Sequence, residues 1–95
     1  MVRKSMTING ATRRAATLAG LRPGMRAIVA RIDDQAGGGL LGERLREMGF
    51  VEDAEVELLH EGPFGGDPLA VKVERMIVAL RRAEAEAVLL AAESR

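Results

Sequence analysis

The chain has 95 residues, enough for one domain with one hydrophobic core. It contains no cysteine, which excludes disulfide bonds and thiolate metal sites and makes a reducing cytoplasm the simplest compartment. Its formal net charge is zero, and no segment has the apolar run of a signal peptide or membrane span, so we expect a soluble, cytoplasmic protein.

Charge is distributed unevenly along the chain. Seven bases precede the first acid, Asp33, and the 14 acids that begin there face only seven further bases, so the two parts carry +7 and −7. Neutralisation within the molecule and an acidic partner both explain this pattern. Residues 1–16 lack a hydrophobic period and contain the turn-forming pair Asn9-Gly10, so they are interpreted as a flexible basic tail before a domain at 17–95.

The first predicted elements are a turn, a strand and a loop. Arg22-Pro23-Gly24 suits a type II turn, and alternation over residues 25–32 predicts a strand. Val29 and Ile32 fall on opposite faces of that strand, so the pattern leaves open which face is buried. Two acids and three consecutive glycines predict an irregular loop at 33–39.

A helix is predicted at residues 40–48, where apolar residues recur at helical spacing, namely Leu41, Leu45 and Met48. Gly49 is placed to end this helix in the left-handed conformation. Phe50 would then contact Leu45, as in a Schellman motif.

Two alternating runs, at 55–60 and 69–73, predict a hairpin of half-buried strands. The eight residues between them, 61–68, contain three glycines and two prolines and predict a long loop. Within this loop, Phe64 either folds back to close one end of the small barrel that the strands are expected to form, or contacts another protein.

The last predicted elements are a strand at 76–80, a helical turn at 83–87 and a short strand at 88–90. The strand at 76–80 is almost entirely apolar, so both of its faces are expected to be covered. Five short strands bury their apolar faces best in a small, partly closed barrel. We therefore expect a mainly β, SH3-like barrel with one short helix inserted between strands 1 and 2.

Composition and motifs argue against an enzyme. The serines, Ser5 and Ser94, lie near the chain ends without a base partner, and the glycines at 37–39 are not followed by the Lys-Ser or Lys-Thr of a phosphate-binding loop. Nucleic-acid binding is disfavoured because the two aromatic residues offer few stacking surfaces. His60, with Glu61 and Asp67 nearby in sequence, is a weak candidate metal ligand, and a structural or surface histidine is the alternative.

Three segments together resemble the FeoA family of small proteins of bacterial ferrous iron uptake. They are Arg44-Leu45-Arg46-Glu47-Met48-Gly49-Phe50, Gly65-Gly66-Asp67-Pro68 and Ala79-Leu80-Arg81-Arg82-Ala83-Glu84-Ala85. Leu18-Ala19-Gly20-Leu21-Arg22-Pro23-Gly24 also looks like the family's start. Glu52-Asp53 departs from the Pro-Gly common in the family, and Glu74-Arg75 stands where a glycine is common.

The resemblance implies an SH3-like cytosolic domain that binds the membrane iron permease FeoB, supports or regulates its transport, and reaches the membrane through this partner at most. Together with the motifs, this predicts a non-enzymatic protein without a cofactor. The candidate contacts are Phe64, Asp67, Pro68, Arg44 and Met48. A small transition-metal-binding or metal-sensing domain centred on His60 is the alternative function. An exposed barrel edge leaves self-association open.

Overall fold

The computed structural model describes residues 16–91, so the predicted tail at 1–16 lies outside it except for Ala16. Within that range the strands are β1 (Arg26–Ile32), β2 (Glu55–Gly62), β3 (Gly66–Val73), β4 (Met76–Leu80) and β5 (Val88–Leu90). The α-helices are α1 (Leu40–Glu47) and α2 (Arg82–Ala85), and 3-10 helices lie at Leu18–Gly20 and Ala36–Gly39.

The strands form one antiparallel sheet in the order β4-β3-β2-β1-β5. The sheet is not closed, because β4 and β5 do not pair with each other. Its β5 edge is extended by a bridge between Thr17 and Leu89. The predicted mainly β architecture, with α1 inserted between the first two strands, is confirmed.

A single apolar core fills the inside of the curved sheet, and no charged side chain is buried among the described residues. Val56 and Leu58 of β2 are fully buried, as the alternation of that strand predicts. Their neighbours Glu55 and Glu57 lie on the outer face. Burying each large aliphatic side chain stabilises the fold by about 1.5–3 kcal/mol.

The end of α1 matches the predicted Schellman motif. Gly49 has a φ of 110° and donates to the carbonyl of Arg46, and Phe50 donates to the carbonyl of Leu45, both at 3.0 Å. Phe50 and Leu45 are fully buried together in the core. Local sequence therefore places the aromatic residue of the core shortly after the helix.

Strand β1 buries both Val29 and Ile32, which strict alternation would place on opposite faces. The pairing of β1 with β5 shifts register between Val29 and Arg31. Such an irregularity adds a residue to one strand and reverses the faces beyond it. This is why the period of β1 alone could not identify the buried face.

The predictions for residues 33–39 and for the strand at 76–80 were wrong. Residues 33–39, expected to be irregular, contain the 3-10 helix Ala36–Gly39, which leads directly into α1. Strand β4, expected to be covered on both faces, lies at the sheet edge and exposes Met76 and Ile77. Within residues 16–91, no helix combines the length and apolar character that crossing a bilayer would demand.

Candidate partner-binding site

The β2–β3 hairpin is tighter than the eight-residue loop predicted at 61–68. Strand β2 continues to Gly62 and β3 begins at Gly66, so three residues, 63–65, connect them. The N–H groups of Phe64 and Asp67 donate to each other's carbonyls at 3.3 and 3.2 Å. A Cβ at Gly62 would overlap the backbone carbonyl of Asp67, so this glycine allows the two strands to approach closely. Composition alone had suggested a loose loop at this position.

Phe64 lies at the tip of this hairpin with 81% of its surface exposed. The alternative in which it folds back to close the barrel is therefore wrong. Phe50 supplies the buried aromatic ring instead. Of the two alternatives for Phe64, an outward-facing contact is the one compatible with its exposure.

Arg82, the first residue of α2, fixes the hairpin next to its tip. Its Nη1 donates to the carbonyl of Ala19 at 2.7 Å, and its Nη2 donates to the carboxylate of Glu61 at 3.2 Å and to the carbonyl of Gly66 at 3.4 Å. A guanidinium is suited to this task because its donors lie in a rigid planar fork. One side chain thus links the N-terminal 3-10 helix, β2 and β3.

Asp67 and Pro68 occupy different environments although they are adjacent. The half-buried Asp67 accepts a hydrogen bond of 2.6 Å from the backbone N–H of Arg82, and Pro68 is exposed after a cis peptide bond. Asp67 therefore already has a partner inside the domain. Its proposed role in partner binding remains a prediction, and the structure adds a role in positioning the hairpin.

Arg44 and Met48 lie on and just after α1. The exposed Arg44 forms an ion pair with the half-buried Glu84 of α2 at 3.4 Å. The other carboxylate oxygen of Glu84 accepts from the backbone N–H of Arg81 at 2.9 Å, which completes the start of α2. Met48 is half-buried against the core. Helix α2 thus connects the candidate contact Arg44 on α1 to the candidate contacts in the hairpin.

His60 is exposed on β2 next to a shift in the β2–β3 register. Its sequence neighbour Glu61 is engaged by Arg82. Among residues 16–91, no three His, Cys, Asp or Glu side chains gather closely enough to hold a metal ion. The three residues that sequence reasoning considered together are thus not assembled into a ligand set.

Sequence reasoning missed Arg82 as an organising residue. Its side-chain partners are 16 to 63 residues away in the chain, so no local pattern could reveal them. The signal that could have pointed to it is its place in the third segment of the family resemblance.

Comparisons with known proteins match this architecture. The FeoA domain model matches residues 16–92 of the chain. A sequence comparison with curated proteins returned no significant match.

Among solved structures, FeoA of Stenotrophomonas maltophilia in complex with zinc is 39% identical with a TM-score of 0.72, over 81% of this chain and 91% of that one. It is described as an SH3 domain protein and suggested to act as an activating factor of bacterial ferrous iron transport. FeoA of Chlorobium tepidum is 32% identical with a TM-score of 0.67, over 78% of this chain and 67% of that one. The predicted SH3-like fold is confirmed by these similarities.

A manganese-dependent transcriptional repressor is also similar, at 25% identity and a TM-score of 0.70. The alignment covers 84% of this chain and 42% of the repressor. The same fold therefore occurs as one part of a larger regulatory protein.

Proposed function

Since the chain belongs to the FeoA family, we propose that it is a non-enzymatic accessory protein of ferrous iron uptake that binds the cytosolic part of the permease FeoB. The family match extends over residues 16–92, and the similar FeoA of S. maltophilia has been suggested to activate ferrous iron transport. In this role the chain works in the cytoplasm and meets the membrane through its partner.

The exposed ring of Phe64 is the observation that carries the proposed contact. Aromatic side chains dominate the binding energy of many protein interfaces, because a large rigid surface is buried at a small cost in conformational entropy. Pro68 and the half-buried Asp67, next to the tip of the same hairpin, complete this part of the surface.

The hairpin is held in place before any partner arrives. Arg82 binds the carboxylate of Glu61 and the carbonyl of Gly66, one on each strand of the hairpin. A pre-ordered contact loses less conformational entropy on binding, which improves affinity without any additional contact. The network around Arg82 therefore supports a role for the hairpin in recognition.

Binding to the purified cytosolic part of FeoB tests the proposal at two levels. The parent protein is expected to bind, and Phe64→Ala is expected to weaken binding at least about tenfold, as for an interface hot spot. Ile28→Ala is the matched control, because Ile28 is also an exposed apolar residue but lies on β1, outside the hairpin and α1. Absence of binding by the parent would refute the function, whereas equal binding by Phe64→Ala would refute only the contact.

Metal binding centred on His60 is the second candidate, favoured by the zinc complex of the S. maltophilia relative. Against it, Glu61 is engaged by Arg82, and a strong site needs three or four converging ligands. NMR titration with zinc and ferrous iron separates the two functions. Shifts of the His60 imidazole at stoichiometric metal would support the metal site, and shifts only at large excess would oppose it.

A further inference from the structure

Strand β4 is an open sheet edge. It pairs with β3 on one side, in an unbroken register from Leu69–Leu80 to Val73–Met76. Among the described residues, no other strand pairs with β4, and no backbone hydrogen bond outside the β3 ladder reaches it. Antiparallel pairing uses the backbone groups of alternate residues, so the remaining donors and acceptors of β4 point away from β3.

This edge lacks the features that usually protect an exposed strand. Its five residues include no charge, no proline and no bulge, which are the common means of preventing unwanted pairing. Ile77 and Met76 are 66% and 59% exposed. The opposite edge differs, because β5 has three residues and its Leu90 donates a backbone hydrogen bond to Ala16.

Two arginines flank the open edge. Arg75 immediately precedes β4 and Arg81 immediately follows it in extended conformation, and both are exposed. The ion pairs among the described residues engage other arginines, namely Arg26, Arg44, Arg46 and Arg82. Alternation along an extended chain places Arg81 in phase with Ile77 and Ala79 on the outer face.

We propose that β4 binds an extended segment of a partner protein as an additional strand, and that this segment has acidic residues on both sides of a short apolar run. The backbone edge supplies hydrogen bonds, Ile77 supplies an apolar contact, and the arginines select the flanking acids. The arginines are six residues apart, about 20 Å at roughly 3.3 Å per residue, so the segment needs about seven residues.

A second copy of this chain fits the same edge poorly. If two β4 strands pair antiparallel over all five residues, Val78 of one copy lies opposite Val78 of the other. That register places Arg75 of each copy opposite Arg81 of the other, at both ends of the interface. Like charges directly opposite each other destabilise strand pairing. The charges therefore favour an acidic partner over self-association.

A designed peptide tests this inference without FeoB, so its outcome is independent of the proposed function. The peptide has alternating Thr and Val residues between two terminal Glu residues and is added to the isotope-labelled full chain. We expect chemical-shift changes centred on residues 75–81 and slower amide exchange at Ile77 or Ala79. Shifts centred elsewhere, or none at millimolar peptide, would overturn the proposal.

Modified peptides distinguish strand addition from non-specific binding. Replacing both Glu residues by Lys is expected to weaken binding at least about fivefold, because two charge pairs become repulsive. Methylation of alternate peptide nitrogens, tested in both phases, is expected to abolish binding in the phase that faces β4. Equal binding by the Lys peptide, or by both methylated peptides, would contradict the assigned recognition.

Protein variants provide the complementary test. Ile77→Glu places on β4 a charge of the same sign as the acidic peptide and is expected to remove peptide binding while the fold persists. Ile28→Glu is the matched control, since Ile28 is an exposed isoleucine on β1, away from this edge. Equal loss in both variants would overturn the proposal. Concentration-dependent shifts at residues 76–80 without peptide would also overturn it, in favour of a second copy.

Discussion

The carboxylate of Asp67 accepts a hydrogen bond of 2.6 Å from the backbone N–H of Arg82, which joins the β2–β3 hairpin to the start of α2. The ion pair of Arg44 with Glu84 joins α1 to the same helix. The three segments that carry the family resemblance therefore meet at α2. A helix of four residues has no stability of its own, so these contacts define it.

The hydrogen bonds of Arg82 predict that its replacement lowers the free energy of unfolding much more than replacement of its neighbour Arg81. Arg82→Met removes the side-chain donors to Ala19, Glu61 and Gly66 and is expected to lower the free energy of unfolding by about 1–3 kcal/mol. Arg81→Met, at an exposed neighbour, is expected to change it by less than about 0.5 kcal/mol. Urea unfolding followed by far-ultraviolet circular dichroism measures both, and equal effects would contradict the role of Arg82.

Replacing each of the two phenylalanines by alanine is expected to have very different effects on the free energy of unfolding. Phe50→Ala is expected to cost about 3–5 kcal/mol, because it leaves a cavity at a fully buried site. Phe64→Ala is expected to stay within about 0.5 kcal/mol of the parent protein, because its ring is exposed. The same urea titrations test this. A large destabilisation by Phe64→Ala would show that the hairpin tip packs onto the domain.

Two residues other than glycine have positive φ angles, and replacing such a residue by glycine is expected to stabilise the protein. Asp53 and Glu74 have φ angles of 73° and 54°, and they lie where the sequence departs from the glycine-containing turns common in the family. Asp53→Gly is expected to stabilise the protein by up to about 1 kcal/mol, because it relieves a left-handed conformation.

Glu74→Gly is the informative comparison for that substitution. It relieves the same kind of strain but removes the carboxylate that accepts a 3.0 Å hydrogen bond from the N–H of Glu55. We expect a smaller gain or none, measured as the midpoint of thermal unfolding. A larger gain for Glu74→Gly than for Asp53→Gly would contradict this account.

The ion pair between Arg44 and Glu84 is expected to matter little for stability. Arg44 is largely exposed, and pairs of this kind contribute less than about 1 kcal/mol. Arg44→Met is therefore expected to unfold near the parent's urea midpoint, so a loss of FeoB binding by this variant would identify Arg44 as a contact. Arg46→Met, which removes the exposed pair with Asp34, is the matched control on the same helix.

Elements governed by near neighbours were predictable from the sequence. The end of α1 follows from Gly49 and Phe50, because the Schellman motif is completed within six residues. The inward face of β2 follows from strict alternation of acidic and apolar residues. The candidate contact Phe64 could be proposed, but sequence did not decide between an inward and an outward ring.

The sequence by itself determined the number of strands, the helix between the first two strands, and the family resemblance. Only the tertiary structure decided that β4 lies at an edge, that β1 buries residues from both phases, and that Arg82 holds the hairpin. Periodicity reports how residues of one segment are spaced. Strand order, register shifts and the partners of Arg82 depend on segments up to 63 residues apart, which are brought together when the core closes.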